Sequence, residues 1–223
     1  MSDKQQNDNT TDSSKDGVID FSKIKTGGTF LTNVVGSEKV FCKELFSEEE
    51  KMIYEAMRDF ATNELLPLSQ NELNKKDEKL IRKLVEQMGE LGFLGIDVPE
   101  KYGGSEMTKT GMCILAEGIS FCGSPSFCTV WNVQTSIGSL GIIWYGNDEQ
   151  KKKWLPGICS GEKITAFGLT EPEAGSDATN SKTTGVLSDD GKHYILNGQK
   201  IFISNGAWAC LLYTSDAADE GLG

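Results

Sequence analysis

The chain reads as an α+β protein, helical in its first two thirds and β-rich afterwards. Three observations predict this. Apolar residues recur at helical spacing from about residue 47 to about 156, short apolar runs alternate with turn residues after 163, and Asp189-Asp-Gly-Lys192 stands between two such runs. Asp-Gly accepts the positive φ that tight hairpins need, so the last signal predicts a β-hairpin.

Taken in order, residues 1–20 are mostly Asp, Asn, Ser, Thr, Gln and Lys, with little to bury, and are expected to form a disordered tail. A helical domain is expected over 21–162. Ser47-Glu-Glu-Glu50 reads as a capping box. It is followed by the stripe Met52, Ile53, Ala56, Met57, Phe60, Ala61, Leu65, and Pro67 ends the helix. A second helix runs from Asp77 to Gly92, with Leu80, Ile81, Leu84, Val85, Met88 and Leu91 inward. Phe93–Pro99 reads as extended, closed by the Tyr102-Gly-Gly104 turn. A third helix covers 108–121. A fourth begins at Ser124-Pro125, a cap followed by proline at the first helical position, and continues to Tyr145-Gly146. A short amphipathic helix follows Asn147 and ends at Trp154-Leu-Pro156.

Residues 163–210 are expected to form part of a β-domain, with strands at 164–169, 183–187, 194–196 and 201–204. The stretch 211–223 turns into small and acidic residues without apolar alternation. It is expected to be non-native sequence appended to a fragment.

A net charge of −11 argues against nucleic acid or an anionic membrane surface as partner. No apolar run approaches the roughly 20 residues that span a bilayer. The N-terminal residues lack the apolar core of a signal peptide and contain no arginine, which predicts a cytoplasmic setting, with the mitochondrial matrix as the alternative. Six cysteines without CxxC spacing read as reduced, mostly buried thiols. A single histidine, His193, disfavours a Ser-His-Asp triad or a histidine metal site, and no metal is expected.

Two segments carry the candidate chemistry. Phe167-Gly-Leu-Thr-Glu-Pro-Glu-Ala-Gly-Ser-Asp177 is a short apolar strand breaking into a loop of small and hydroxyl residues. Ile201-Phe-Ile-Ser-Asn-Gly206 delivers Ser204 beside Phe202. Together they are expected to form the wall of a pocket for a large, flat, polar-edged cofactor. A flavin suits it, because reduction places charge on one edge of the ring, where fixed donors stabilise it. Leu169-Thr170 offers backbone N–H groups and a hydroxyl, Gly175-Ser176 a small donor-rich turn for a pyrophosphate, and Ser204 a donor beside an aromatic cover. Taken singly, these residues are ordinary turn chemistry. Glu171 and Asp177 are expected to face away from the phosphates and brace the loop. Gly185–Lys192 is a near miss to a phosphate-binding loop that the hairpin explains. Trp131, Trp144 and Trp154 read as packing residues, and Lys151–Lys153 as a solvated helix face.

In their order and spacing these segments resemble the acyl-CoA dehydrogenase family, particularly its long- and very-long-chain branch. The likeness covers roughly residues 40–210 and includes Gly95–Gly104, Tyr145–Lys151, Leu155-Pro156, Ser160-Gly-Glu162 and Leu196-Asn-Gly-Gln-Lys200. It implies a helical domain followed by the start of a β-barrel domain, without the family's C-terminal helical domain. It implies FAD as cofactor, contacted by Phe167, Gly168, Leu169, Thr170, Gly175, Ser176, Phe202, Ile203 and Ser204. Ser176 would also meet the acyl-CoA. The implied activity is α,β-dehydrogenation of a fatty acyl-CoA to the trans-2-enoyl-CoA in β-oxidation, with electrons passed to an electron-transferring flavoprotein. The complete protein would be a homodimer or homotetramer. The family's base is a glutamate in the C-terminal domain, so no catalytic residue is assigned, and the fragment is expected to be inactive. Phe202 stands where the family more often has Trp, and Asn180 where a small residue is usual. An acyl-CoA oxidase and a non-catalytic binding or assembly member of the family are the alternatives.

Overall fold

The computed structural model describes residues 43–68, 72–75 and 77–214. The expected tail at 1–20 and residues 215–223 lie outside them. The chain divides into two compact units, Met1–Lys51 and Met52–Gly223. In the first, a 3-10 turn at Lys43–Leu45 leads to the start of helix α1, Glu48–Phe60. The expected capping box is present: Glu50 N–H donates to Ser47 Oγ at 3.1 Å, and Ser47 N–H donates to Glu50 Oε2 at 2.9 Å.

In the second unit α1 widens into a π-turn at Ala61–Leu65 and closes as a 3-10 turn at Leu66–Leu68. Pro67 lacks the N–H that would continue the helix. The Thr62 hydroxyl, meanwhile, donates back to Arg58 O at 2.9 Å. Helix α2, Glu78–Glu90, is capped by Asp77, which accepts from Lys79 and Leu80 N–H. It ends in a Schellman motif: Phe93 N–H bonds Met88 O, Gly92 N–H bonds Gly89 O, and Gly92 takes a φ of +76°. Helices α3 (Lys109–Ile119), α4 (Pro125–Thr135), α5 (Leu140–Tyr145) and α6 (Asp148–Cys159) follow. The main core gathers Met57, Phe60, Leu84, Met88, Phe93, Leu115, Phe127 and Trp131. Trp131 Nε1 donates to Phe93 O at 3.0 Å, so its one polar atom is satisfied inside that core.

Several expectations change. Phe93–Pro99 is a chain of turns rather than an extended segment: the adjacent carbonyls of Gly95 and Ile96 both accept from one stretch, from Ser105 and Met107 N–H, where extended backbone would send them to opposite sides. The fourth helix is two helices. Ser136 leaves helical geometry with φ −125° and ψ −102°. A Cβ at Gly138 would lie 2.4 Å from Thr165 Oγ1 and 2.8 Å from Val133 O, so the break admits the first strand against the helix end. The last helix runs to Cys159, past Pro156, whose exposed position leaves the carbonyl one turn earlier to solvent. Met52, Leu91 and Trp144 were expected inward but are exposed, Trp144 by 58%. Met52 and Leu91 lie at the margins of their apolar stripes, and α5 is too short to bury both faces.

The β-part has two small sheets among the described residues. Strand β1 (Thr165–Gly168) pairs in parallel with β4 (Leu211–Thr214), Thr165 opposite Leu211 and Gly168 opposite Thr214. Strands β2 (Thr184–Leu187) and β3 (Tyr194–Asn197) form the expected antiparallel hairpin, with Gly191 at φ +67°. Strand β4 occupies the start of the stretch from 211 that was expected to be appended non-native sequence. The one expected at 201–204 is a turn, for reasons given with the site. No helix among the described residues is long and apolar enough to cross a membrane.

Replacing Gly138 with alanine should force apart α4 and β1 and destabilise the fold by about 1–3 kcal/mol. Urea unfolding followed by tryptophan fluorescence measures this, and an unchanged midpoint would show that the break does not depend on the close approach of Thr165.

Candidate functional site

Both candidate segments are built around one buried carboxylate. Glu171 lies just past Leu169 and Thr170, which follow β1, and closes a tight loop with Ala174 through two backbone bonds of 2.9 and 3.2 Å. Its side chain is 4% exposed. One carboxylate oxygen accepts from Thr183 N–H at 3.0 Å, from the Ser181 and Thr183 hydroxyls and from Lys200 Nζ at 2.8 Å, and the other accepts from Lys182 N–H. Lys200 is also nearly buried. Its ammonium donates further to Leu169 O at 3.1 Å and Ser181 Oγ at 3.2 Å, so its three donors are all used. A buried ion pair stabilises only when both ends are saturated in this way. Gly198 lets the chain reach Lys200, since a Cβ there would lie 2.1 Å from Thr183 Oγ1.

These bonds set the direction of the second segment. Next to Lys200, Ile201 N–H donates to Thr170 O at 2.8 Å. Four residues on, Asn205 is buried, and its Nδ2 donates to Thr165 O at 3.1 Å and Val130 O at 3.3 Å. Pinned at both ends, residues 202–205 reverse instead of extending. Phe202 and Asn205 take φ values of +57° and +64°. Such values cost a non-glycine residue free energy that the two anchors must offset.

The structure brings the Phe167–Thr170 stretch and the second segment together at three points: a Cβ at Gly168 would make ordinary contact, 3.5 Å, with Ile203 Cδ1 and Lys200 Cβ, Leu169 O accepts from Lys200 Nζ, and Thr170 O accepts from Ile201 N–H. Phe202 projects outward and is 89% exposed, with Leu169 and Ser204 also at the surface. Gly175 and Ser176 lie on the exposed part of the loop beyond Ala174, and a Cβ at Gly175 would meet nothing within 4 Å. The site is therefore an open rim: a glycine-containing loop on one side, an outward aromatic and a hydroxyl on the other. Beneath the turn lies a cavity of about 420 Å³ between α2, α4 and residues 203–208, lined by Ile81, Phe127, Val130, Ile203 and Trp208.

The braced carboxylate was expected at Glu171, but its burial and its partner Lys200 were not. Asp177 is exposed and accepts from the Thr179 hydroxyl at 2.8 Å, and Asn180 lies on the outer loop, accepting from Lys182 Nζ at 2.8 Å. His193 is exposed on the hairpin, with Nδ1 3.6 Å from Asp190. Glu171 cannot serve as a base. The Lys200 ammonium, then the Ser181 and Thr183 hydroxyls and the Lys182 N–H, hold its carboxyl far below the usual range. Lys200 and Asn205 were missed because their partners lie 29 and 75 residues away. Nothing local in a single sequence marks such pairings.

This order of helical domain, β1 loop and returning second segment defines a known class. The family model described as "Acyl-CoA dehydrogenase, N-terminal domain" matches residues 47–162, and that described as "Acyl-CoA dehydrogenase, middle domain" matches 166–221. The chain belongs to the acyl-CoA dehydrogenase family. It is 43% identical over 186 residues to a probable acyl-CoA dehydrogenase of Bacillus subtilis, an overlap of 83% of this chain and 31% of that protein. A crystal structure of an acyl-CoA dehydrogenase from Bacillus anthracis, complexed with FAD, superposes with a TM-score of 0.76 at 44% identity, covering 83% of this chain and 31% of that one. Two relatives at 37% identity differ in their named substrates. One is the short-chain specific enzyme of Clostridium acetobutylicum, overlapping 73% of this chain and 42% of its own length. The other is the mitochondrial very long-chain specific enzyme of Bos taurus, with overlaps of 76% and 24%. The chain thus spans less than half the length of these proteins.

The Glu171 knot predicts a specific acid sensitivity. A carboxyl with a lowered folded-state pKa contributes stability that is present above its unfolded value, near 4.5, and is lost as the pH falls towards the folded value. Lys200→Met removes the largest cause of that lowering, so acid unfolding followed by circular dichroism should begin at higher pH than in the parent, while Lys200→Arg stays close to it. Superimposable acid profiles for the parent and Lys200→Met would show that the pair does not hold the two segments together.

Proposed function

We propose that the polypeptide carrying these two domains is an FAD-dependent acyl-CoA dehydrogenase that converts a fatty acyl-CoA to the trans-2-enoyl-CoA and passes the electrons to an electron-transferring flavoprotein. The observation that carries this reading is the joining of the two candidate segments by the Glu171–Lys200 pair, which leaves Leu169, Phe202 and Ser204 facing outward along one rim. An exposed aromatic beside exposed hydroxyls is costly to leave against water and suits a flat ring with a polar edge. The open space over Gly175 leaves room for a pyrophosphate at the main chain.

In this reading Leu169 and Thr170 flank the pyrimidine edge of the ring, Ser204 offers a hydroxyl to its central nitrogen, and Phe202 covers one face. Phe167, Gly168 and Ile203 support these contacts from behind. Gly175 and Ser176 receive the pyrophosphate, and Ser176 also meets the acyl-CoA. Bound FAD supplies the two-electron acceptor that dehydrogenation of a saturated chain requires. The residues of this chain bind, orient and exclude water. Glu171, saturated and held ionised, braces the site and takes no proton. The long-chain preference rests on the sequence motifs alone, since relatives of equal identity are named for short and very long chains. Assembly as a homodimer or homotetramer is supported by the β2–β3 hairpin, where Val186, Leu187, Tyr194, Ile195 and Leu196 are each at least half exposed and need a cover.

The test is to express a polypeptide extended to the length of the relatives and record its visible spectrum before and after anaerobic addition of butyryl-, octanoyl- or palmitoyl-CoA. Flavin absorption at ~450 nm should bleach, fastest with palmitoyl-CoA if the long-chain reading holds. The double replacement Phe202→Ala/Ser204→Ala should weaken FAD binding at least about tenfold, roughly 1.4 kcal/mol. A folded protein that takes up no FAD would overturn the assignment. One whose reduced flavin reacts rapidly with oxygen, and not with the flavoprotein, would make it an acyl-CoA oxidase.

A further inference from the structure

The α3–α4 junction brings together two thiols that nothing above requires. Cys122 ends the 3-10 turn after α3, and Cys128 lies in the first part of α4. Between them Gly123, at φ +68°, and the cap Ser124 reverse the chain. The two sulfurs are 3.5 Å apart. Cys122 is fully buried, whereas Cys128 is only partly covered and so connects the pair with solvent. Other groups also face the pair: Ser124 N–H points at Cys122 Sγ at 3.4 Å, and Cys128 Sγ lies 3.7 Å from Ile119 O. The remaining described cysteines have no such neighbour. Cys113 and Cys210 are exposed single thiols, and Cys159 is buried, which pushes its thiol up to about 11.

We propose that Cys122 and Cys128 form a reversible redox-modification site, in which a low-molecular-weight disulfide oxidises the pair to an intramolecular disulfide that staples the α3–α4 turn. The inference rests on the geometry of the junction and is independent of the function proposed above.

The chemistry follows from the placement. The bond to Cys122, and then burial, hold the Cys128 thiol above the usual range. The reachable Cys128 therefore attacks through its minor thiolate form: it bonds one sulfur of the small disulfide and releases its first thiolate. Cys122 then attacks the Cys128 sulfur and releases the second. The protons lost by the two cysteines go to the two departing thiolates. One disulfide is reduced to two thiols as two cysteine thiols become one disulfide. Cys122 is suited to the second step: once Cys128 carries the adduct, the Ser124 N–H still faces the Cys122 sulfur at 3.4 Å and favours its thiolate. The sulfurs must close from 3.5 Å to the ~2.05 Å of a disulfide bond, a movement open to side-chain rotation at a turn. The staple would sit at the start of the helix that carries Phe127 and Val130 over the cavity beneath Ile203.

Treating the native full chain with hydroxyethyl disulfide, which is small and uncharged, tests the proposal. After alkylation of free thiols, cleavage after Glu117 and Glu149 gives residues 118–149, with Cys122 and Cys128 as the only cysteines. Mass spectrometry should find this peptide unalkylated and lighter by two hydrogens, while Cys113 and Cys210 carry probe adducts. Dithiothreitol should restore alkylation of both. In Cys128→Ser, Cys122 should react at least about tenfold more slowly, because its route to solvent is lost. Cys128→Ala gives the same reading should the serine unfold the turn. Alkylation of both cysteines in native protein whose Cys113 is already modified, or an adduct trapped on Cys128 without closure, would overturn the proposal.

Discussion

The buried pair between Glu171 and Lys200 is the constraint on which the rest of the β-part depends. Strand β1 alone would end in an exposed loop, and residues 198–204 alone would be a hydroxyl-bearing turn with no fixed partner. The Glu171 carboxylate gathers donors from residues 181–183 and from Lys200, and the Lys200 ammonium returns a bond to the carbonyl of Leu169. Two stretches about 30 residues apart in sequence thereby become one rigid edge. Because every donor and acceptor in the pair is used, the desolvation of two charges is offset by specific bonds, and the arrangement has no equally good alternative register.

A second anchor adds to the first. Asn205 reaches through its amide to the carbonyls of Val130 and Thr165, tying the outward turn to helix α4 and to β1 together. Gln134 does the same from the helical side, with its Nε2 shared between Ile158 and Lys163 carbonyls and its Oε1 accepting from Thr165 N–H. Side-chain amides thus supply the hydrogen bonds where helix meets strand and neither backbone can complete the other's pattern. The break at Gly138 belongs to the same junction, since it clears the space that Thr165 occupies.

The helices were legible wherever the signals were local. Ser47 and Ser124 cap the helices they were expected to cap, and Asp77 and Asn147, expected as helix starts, are caps as well, because a cap and its partners lie within three residues. The hairpin at 188–193 was readable for the same reason. What could not be read depends on distant partners: the split at 136–139 on Thr165, the reversal at 202–205 on Thr170 and Val130, and the parallel strand β4 on β1. The candidate site divides along the same line. Its residue types and loop were visible, whereas the pair that holds them, and the outward turn of Phe202, required the fold.

The hairpin of β2 and β3 has one further consequence. Its side chains alternate between two faces, yet Val186 and Leu187, adjacent in sequence and so on opposite faces, are both more than half exposed, as are Ile195 and Leu196 across from them. A two-stranded ribbon of this kind has little stability by itself, and its bare edges offer a template to any neighbouring chain. During synthesis this segment would emerge from the ribosome after the helical core is complete but before anything lies over it. The interval in which it remains uncovered, rather than the strength of the helical core, would then govern how much of the protein is lost to aggregation.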